Sequence, residues 1–224
     1  DNPTAKSYPN GAQFAGTFDG AGHNLYNLYM ESDGKGDAML GLFASATGTA
    51  VIKNFGLINA KIVSKGASDW VGVITCMPGG TLIENIYIKA DIERTVAGSG
   101  GKPTGGVVGW SNGVTIKNVM LEGSIKLHEN YGGHAGAFIS GCGGKNVMEN
   151  CLSMMTITAG KSGAIGLVAG NGVGNITATN VYVVAEGSTY LKDGVAVPMT
   201  AGLPTGAKVV TKDQLRDFVA EYTL

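Results

Sequence analysis

Six asparagines, Asn27, Asn54, Asn85, Asn118, Asn150 and Asn180, recur along the chain at intervals of 27, 31, 33, 32 and 30 residues. Each lies in the same short pattern, with an apolar residue two before it and apolar residues one and three after it, Ser153 in the fifth segment excepted. The segments are LYNLYM (25–30), IKNFGL (52–57), IENIYI (83–88), IKNVML (116–121), MENCLS (148–153) and ATNVYV (178–183). Self-similarity with a period near 31 marks a stacked array, because one such unit cannot bury its apolar face alone.

Two further landmarks fill out the unit. A glycine followed by apolar residues recurs at Gly41, Gly72, Gly106, Gly136 and Gly166, and an isoleucine follows the Asn at Ile62, Ile92, Ile125 and Ile157. Three short strands separated by turns describe one coil of a parallel β-solenoid. Within the strands, period-two alternation sends Asn−2, Asn+1 and Asn+3 inward. The change of parity across the Asn implies a bend, which suits a residue that tolerates unusual φ/ψ and bonds to nearby backbone. Stacked coils put each Asn ~4.8 Å from the next, so the six amides are expected to form a hydrogen-bonded ladder.

The expected organisation is a single all-β domain over residues 1–224 with about six coils. Residues 25–185 form the coils. Residues 1–24 are an N-terminal cap in which Phe14 and Phe18 close the first coil. Residues 186–224 are a C-terminal cap ending in a short helix at about 212–222. That helix is read from a capping box at Thr211 and Gln214 and from Leu215, Phe218, Val219 and Tyr222 on one face.

Composition agrees with a turn-rich β protein: 37 of 224 residues are Gly and only 15% are charged. The net charge of −1 lacks the positive footprint of a nucleic-acid binder. No apolar run approaches the ~18 residues of a membrane-spanning helix. Three cysteines, Cys76, Cys142 and Cys151, do not make a disulfide framework. Cys151 occupies the slot of Phe55, Ile86, Val119 and Val181 and reads as a small buried hydrophobe. Whether it pairs with Cys142 is left open by the spacing.

The opening stretch F-x-G-T-F-D-G-x-G-H (Phe14 to His23), followed by N-L at 27–28, G-L-F at 41–43 and I-K-N-F-G-L at 52–57, resembles the start of GLUG-type repeat domains. The glycine-plus-Asn units at 72–88, 106–121, 136–153 and 166–183 follow the same pattern more loosely. Such domains occur in secreted and surface proteins of bacteria and as non-catalytic segments of large secreted peptidases. The resemblance implies a right-handed solenoid, an extracellular or cell-surface location and an adhesin-like role. It supplies no catalytic motif, and His23, His128 and His134 do not form the HExxH of a metallopeptidase.

On a repeat scaffold, chemistry belongs to the surface. A lyase or hydrolase on a β-helix needs clustered carboxylates on adjacent coils, and here they are scattered. Lys53, Glu84, Lys117 and Glu149 share the Asn−1 slot and read as an outward column of alternating charge. Asp19 reads as a turn cap. His128, Glu129 and His134 match no strong metal template, so neither metal nor cofactor is expected. The Asn+2 slot, holding Tyr29, Gly56, Tyr87, Met120, Leu152 and Tyr182, points outward as a partly aromatic stripe. Tyr29, Tyr87 and Tyr182, with Trp70 and Trp110, are the candidate ligand-binding residues, for a glycan or a surface protein of host or bacterium. The alternative for the stripe is that a loop or terminal segment covers it. The reading is a non-enzymatic adhesion or ligand-binding domain. Its rivals are a polysaccharide lyase or hydrolase and a passive spacer.

Overall fold

The alternating apolar residues pair from coil to coil, not within hairpins. Ile52, Ile83, Ile116 and Met148 are successive register partners in parallel strands, as are Leu57, Ile88 and Leu121. In a computed structural model, which describes residues 13–98, 101–161 and 164–215, the chain is an all-β parallel β-solenoid of about five turns. Its largest sheet is built on the long strands Val51–Ser64, Thr81–Arg94, Val114–Lys126, Asn146–Ala159 and Ile176–Val184. Two five-stranded sheets close each coil; one includes Trp70–Gly72, Pro103–Gly105 and His134–Gly136, the other Thr75–Pro78, Val108–Ser111 and Ile139–Cys142. The antiparallel pair Thr189–Lys192 and Val195–Pro198 departs from this scheme near the C-terminal end.

Inward columns of mostly aliphatic side chains fill the interior. Ile62, Ile92, Ile125 and Ile157 stack as register partners and are at most 1% exposed. Each such side chain contributes roughly 1.5–3 kcal/mol of burial. Cys76, Cys142 and Cys151 are free, buried thiols. Burial pushes all three up to about 12, which leaves them unreactive as thiolates.

The glycine column differs by one residue from the sequence reading. Leu40 pairs with Val71, Gly72 with Gly105, Gly105 with Gly136 and Gly136 with Gly166. The member from the third coil is therefore Gly105, not Gly106. These positions serve close approach: a Cβ on Gly105 would collide with the Val108 carbonyl, and one on Gly136 with that of Ile139.

The first coil is also offset. Thr17–Asp19, assigned to the cap from sequence, pairs with Val51–Lys53, and Asn24–Tyr26 pairs with Gly56–Ile58. A turn at Gly20–His23 separates the two and closes on Lys53, Asn54 and Gly56 through backbone hydrogen bonds. Phe14, Phe18, Phe43 and Phe55 form an aromatic cluster at this end, with ring centroids 4.5–5.6 Å apart.

One variable loop is pinned from inside. The carboxylate of Asp69 accepts hydrogen bonds from Ser32 Oγ (2.5 Å), Ser64 Oγ (2.8 Å), Gly66 N (2.8 Å) and Ala38 N (3.1 Å). Beside it Arg94, 1% exposed, donates to the Asp69 carbonyl and lies 5.0 Å from the Tyr131 ring centre. The C-terminal helix expected at 212–222 falls for the most part outside the described residues. At its start the reciprocal capping pair is present: Thr211 N donates to Gln214 Oε1 (2.9 Å) and Gln214 N to Thr211 Oγ1 (3.3 Å).

Candidate functional site: an amide-floored groove

Asn54, Asn85, Asn118, Asn150 and Asn180 all adopt φ of 51–60°, the left-handed region that Asn tolerates better than other side chains. Each therefore bends its strand at the same height in its coil, and the bends align along the solenoid. Their side chains join. Asn85 Nδ2 donates to Asn54 Oδ1 (3.0 Å), Asn118 to Asn85 (2.8 Å), Asn150 to Asn118 (3.2 Å) and Asn180 to Asn150 (3.1 Å).

Asn27 does not belong to this column. The rung before Asn54 is Asp19, whose Oδ1 accepts from Asn54 Nδ2 at 3.0 Å. Asn27 also has a positive φ, 56°, but it sits beside Asn59 (φ 58°) at a second bend, where its N–H donates to the Ile58 carbonyl. The two sites share a residue type because they share a conformational demand. Asp19 was hidden from sequence because the Gly20–His23 turn stretches the interval to Asn54. Its signal was Phe18, which pairs with Ile52 and so sets Asp19 opposite Lys53.

All ladder amides point the same way, with Nδ2 toward the preceding coil. The N–H end of this chain of dipoles meets the Asp19 carboxylate. A hydrogen bond from Ala21 N (2.9 Å), then Asn54, then nearby Lys53 Nζ (3.8 Å), hold that carboxyl below its ordinary pKa.

Beside the ladder runs the Asn+2 column. Asn24, Gly56, Tyr87, Met120, Leu152 and Tyr182 are successive register partners. Tyr29 is not in it; it pairs with Lys61 and is 58% exposed, its hydroxyl donating to Glu31 (2.6 Å), which also meets Lys65 Nζ at 2.5 Å. A side chain at Gly56 would collide with Asn24, so Asn24 covers that position. Leu152 is buried with Val184, Val210 and Leu215, so this part of the stripe is covered by the C-terminal segment. Tyr87 is half-buried; burial, with the neighbouring Glu122 carboxylate, pushes its phenol up to about 12. Ladder and stripe together line one elongated groove of about 1260 Å³, which includes Asp19, Tyr87, Met120 and Tyr182.

The two tryptophans stand apart from this groove, on the two smaller sheets. Lys102 Nζ lies 5.1 Å from the centre of the Trp70 ring. Trp110 covers Gly141 and meets the His134 ring at 5.6 Å. His128, Glu129 and His134 are not brought together as a metal site; among the described residues no group of three or more His, Cys, Asp or Glu is placed to hold an ion. The Asn−1 column carries ion pairs at Lys53–Asp19 (3.8 Å) and Lys117–Glu149 (2.8 Å). No described helix is long and apolar enough to cross a membrane.

No protein-family model matches the chain, and no curated protein matches it. Among solved structures it is similar to a Bacteroides ovatus protein described as a "putative immunoglobulin A1 protease", with a TM-score of 0.62 and 16% identity over 92% of this chain and 72% of that one. At that identity the likeness is one of fold: the chain shares a parallel β-solenoid with that protein.

Proposed function

We propose that this chain is a non-enzymatic binding domain of a bacterial secreted or cell-surface protein, used for adhesion, with the amide-floored groove as its contact site. It winds right-handed, the hand that parallel crossovers favour and that GLUG-type domains share. The observation that carries the reading is the groove itself. Its polar groups are fixed by bonds to one another across five coils, so they meet a ligand already ordered, which lowers the cost of binding.

Several acidic residues support the same reading, because they have structural partners. Asp19 heads the ladder, Glu149 pairs with Lys117, Glu31 with Lys65 and Glu93 with Lys126. The protease description of the structural neighbour concerns that protein; here the thiols are too buried to act as nucleophiles.

The test is retention of beads carrying the chain on mucin-coated and bacterial surfaces. Wild type should be retained, and Tyr87→Ala with Tyr182→Ala should release it at a temperature where circular dichroism shows the variants still folded. Cleavage of a polysaccharide or of immunoglobulin by the purified chain, abolished by an acidic-residue substitution, would sink the non-enzymatic reading.

A further inference from the structure

We infer that the groove takes a neutral, hydroxyl-bearing glycan chain bound lengthwise along the ladder in one direction; this rests on the groove being the contact site. Three observations select that class. The first is the hydrogen-bonding inventory of the floor. A side-chain amide has two N–H donors and two acceptor lone pairs. Asn54, Asn85, Asn118 and Asn150 each spend one donor and one acceptor on the ladder. All four residues line the groove, each with a second donor and a second lone pair beyond those the ladder uses, and Asn118 and Asn150 are exposed. A donor and an acceptor repeated side by side match a row of hydroxyls, which both accept and donate.

The second observation is charge. Among the groove's lining residues the one formal charge is the Asp19 carboxylate, at the N-terminal end; there is no Lys, Arg or His. Uronate chains, sulfated glycans and nucleic acids need cations, and the one charge in the lining is a carboxylate that Lys53 pairs, so the floor favours a neutral polymer. The third is the wall. Tyr87, Met120 and Tyr182 stand along one side, and aromatic faces pack against the C–H faces of sugar rings while their hydroxyls reach polar partners.

An extended peptide fits less well. Its residues repeat at about 3.3–3.4 Å, whereas the rungs repeat at about 4.8 Å, so peptide groups fall out of step with the amides within two or three rungs. The backbone on either side of the floor asparagines is already engaged between coils. Direction follows from the amides: each presents N–H toward the preceding coil and oxygen toward the next, so a chain reversed in the groove meets a different sequence of donors and acceptors.

The experiment is titration of the whole chain, followed by calorimetry and by amide NMR shifts, with hexasaccharides of β-1,4-linked glucose, α-1,4-linked glucose and β-1,4-linked mannose. An α-1,4-linked galacturonate hexasaccharide and an extended Ser/Thr peptide serve as comparators. The expected result is saturable binding of at least one neutral probe, little changed between low and high salt. The shifts should follow the ladder side chains, and Tyr87→Ala should weaken binding about tenfold. Val195→Ser, on the distant hairpin, should leave it unchanged and controls for nonspecific loss. Preference for galacturonate with steep salt dependence, or for the peptide, would overturn the glycan class while leaving the groove as contact site if Tyr87→Ala still abolishes it. No saturable binding of any neutral probe up to about 10 mM overturns the glycan class as well. If the Tyr87 and Tyr182 variants also leave surface retention unchanged, the groove reading falls with it.

Discussion

At the scale of single residues, the bend asparagines do two jobs that can be separated by substitution. Asn118 holds a left-handed φ of 51° and makes two ladder bonds. Glycine keeps the first job and loses the second; alanine loses both. The left-handed conformation costs an L-residue about 1–2 kcal/mol, and the greater freedom of glycine in the unfolded chain offsets part of that difference. Asn118→Ala should therefore be about 1 kcal/mol less stable than Asn118→Gly, and both less stable than wild type, by urea unfolding. Equal stability of the two would mean that the bend, unlike the bonds, carries no strain.

Asp19 gives a pH signature. Its folded pKa is depressed, by the Ala21 N–H first and then by Asn54 and Lys53. A depressed carboxylate contributes stability above its unfolded pKa of about 3.9, and that contribution is lost as pH falls through the folded value. Wild type should be more stable than Asp19→Asn at neutral pH, and their melting temperatures should converge as the solution is acidified below the ordinary carboxylate range. A gap that stays constant from neutral to acid pH would remove the charged cap from the account.

At the scale of strands and turns, close packing of coils sets the tolerance of each position. A Cβ at Gly105 would strike the Val108 carbonyl, whereas one at Gly174 meets nothing within 4 Å. Gly105→Ala should destabilise by about 3 kcal/mol, the upper end of overpacking, and Gly174→Ala by less than about 0.5 kcal/mol, both read from thermal unfolding. The same packing explains what the sequence could reveal. The inward columns and the rungs from Asn54 to Asn180 were legible because each coil repeats the same demand at nearly the same interval. The first coil was not, because its inserted turn broke the interval and the side chain that meets Asn54 comes from an aspartate one register position earlier, opposite Lys53. Asn27 misled because a second left-handed bend, shared with Asn59, selects the same residue. Gly105 was masked by its neighbour Gly106 in a Gly-Gly pair. The groove itself was invisible: an outward stripe is readable from alternation, but the concavity comes from bends that are defined only in three dimensions.

At the scale of the molecule, the strands of each coil pair almost entirely with those of its neighbours, so stability is close to a sum of units and the interfaces between them. The central strands Thr81–Arg94 and Val114–Lys126 have long partners on both sides, while the terminal ones do not. Native-state hydrogen exchange should show protection greatest over these two strands and lowest at Thr17–Tyr26 and Ala207–Val210. Uniform protection would indicate a single all-or-none unit instead. The C-terminal end has its own clamp, where Val210 and Leu215 cover Leu152 and Val184. Val210→Asp should raise exchange at Val181–Val184 while leaving the central strands unchanged.

The interior rungs are interchangeable: every one gives to the coil before it and takes from the coil after. Nothing in that exchange counts how many there are. A duplicated unit inserted between Asn85 and Asn118 would restore the same contacts on both sides and lengthen the trough by about 4.8 Å. Reach is thus a quantity that descendants of this chain can adjust one step at a time, without redesigning either terminus.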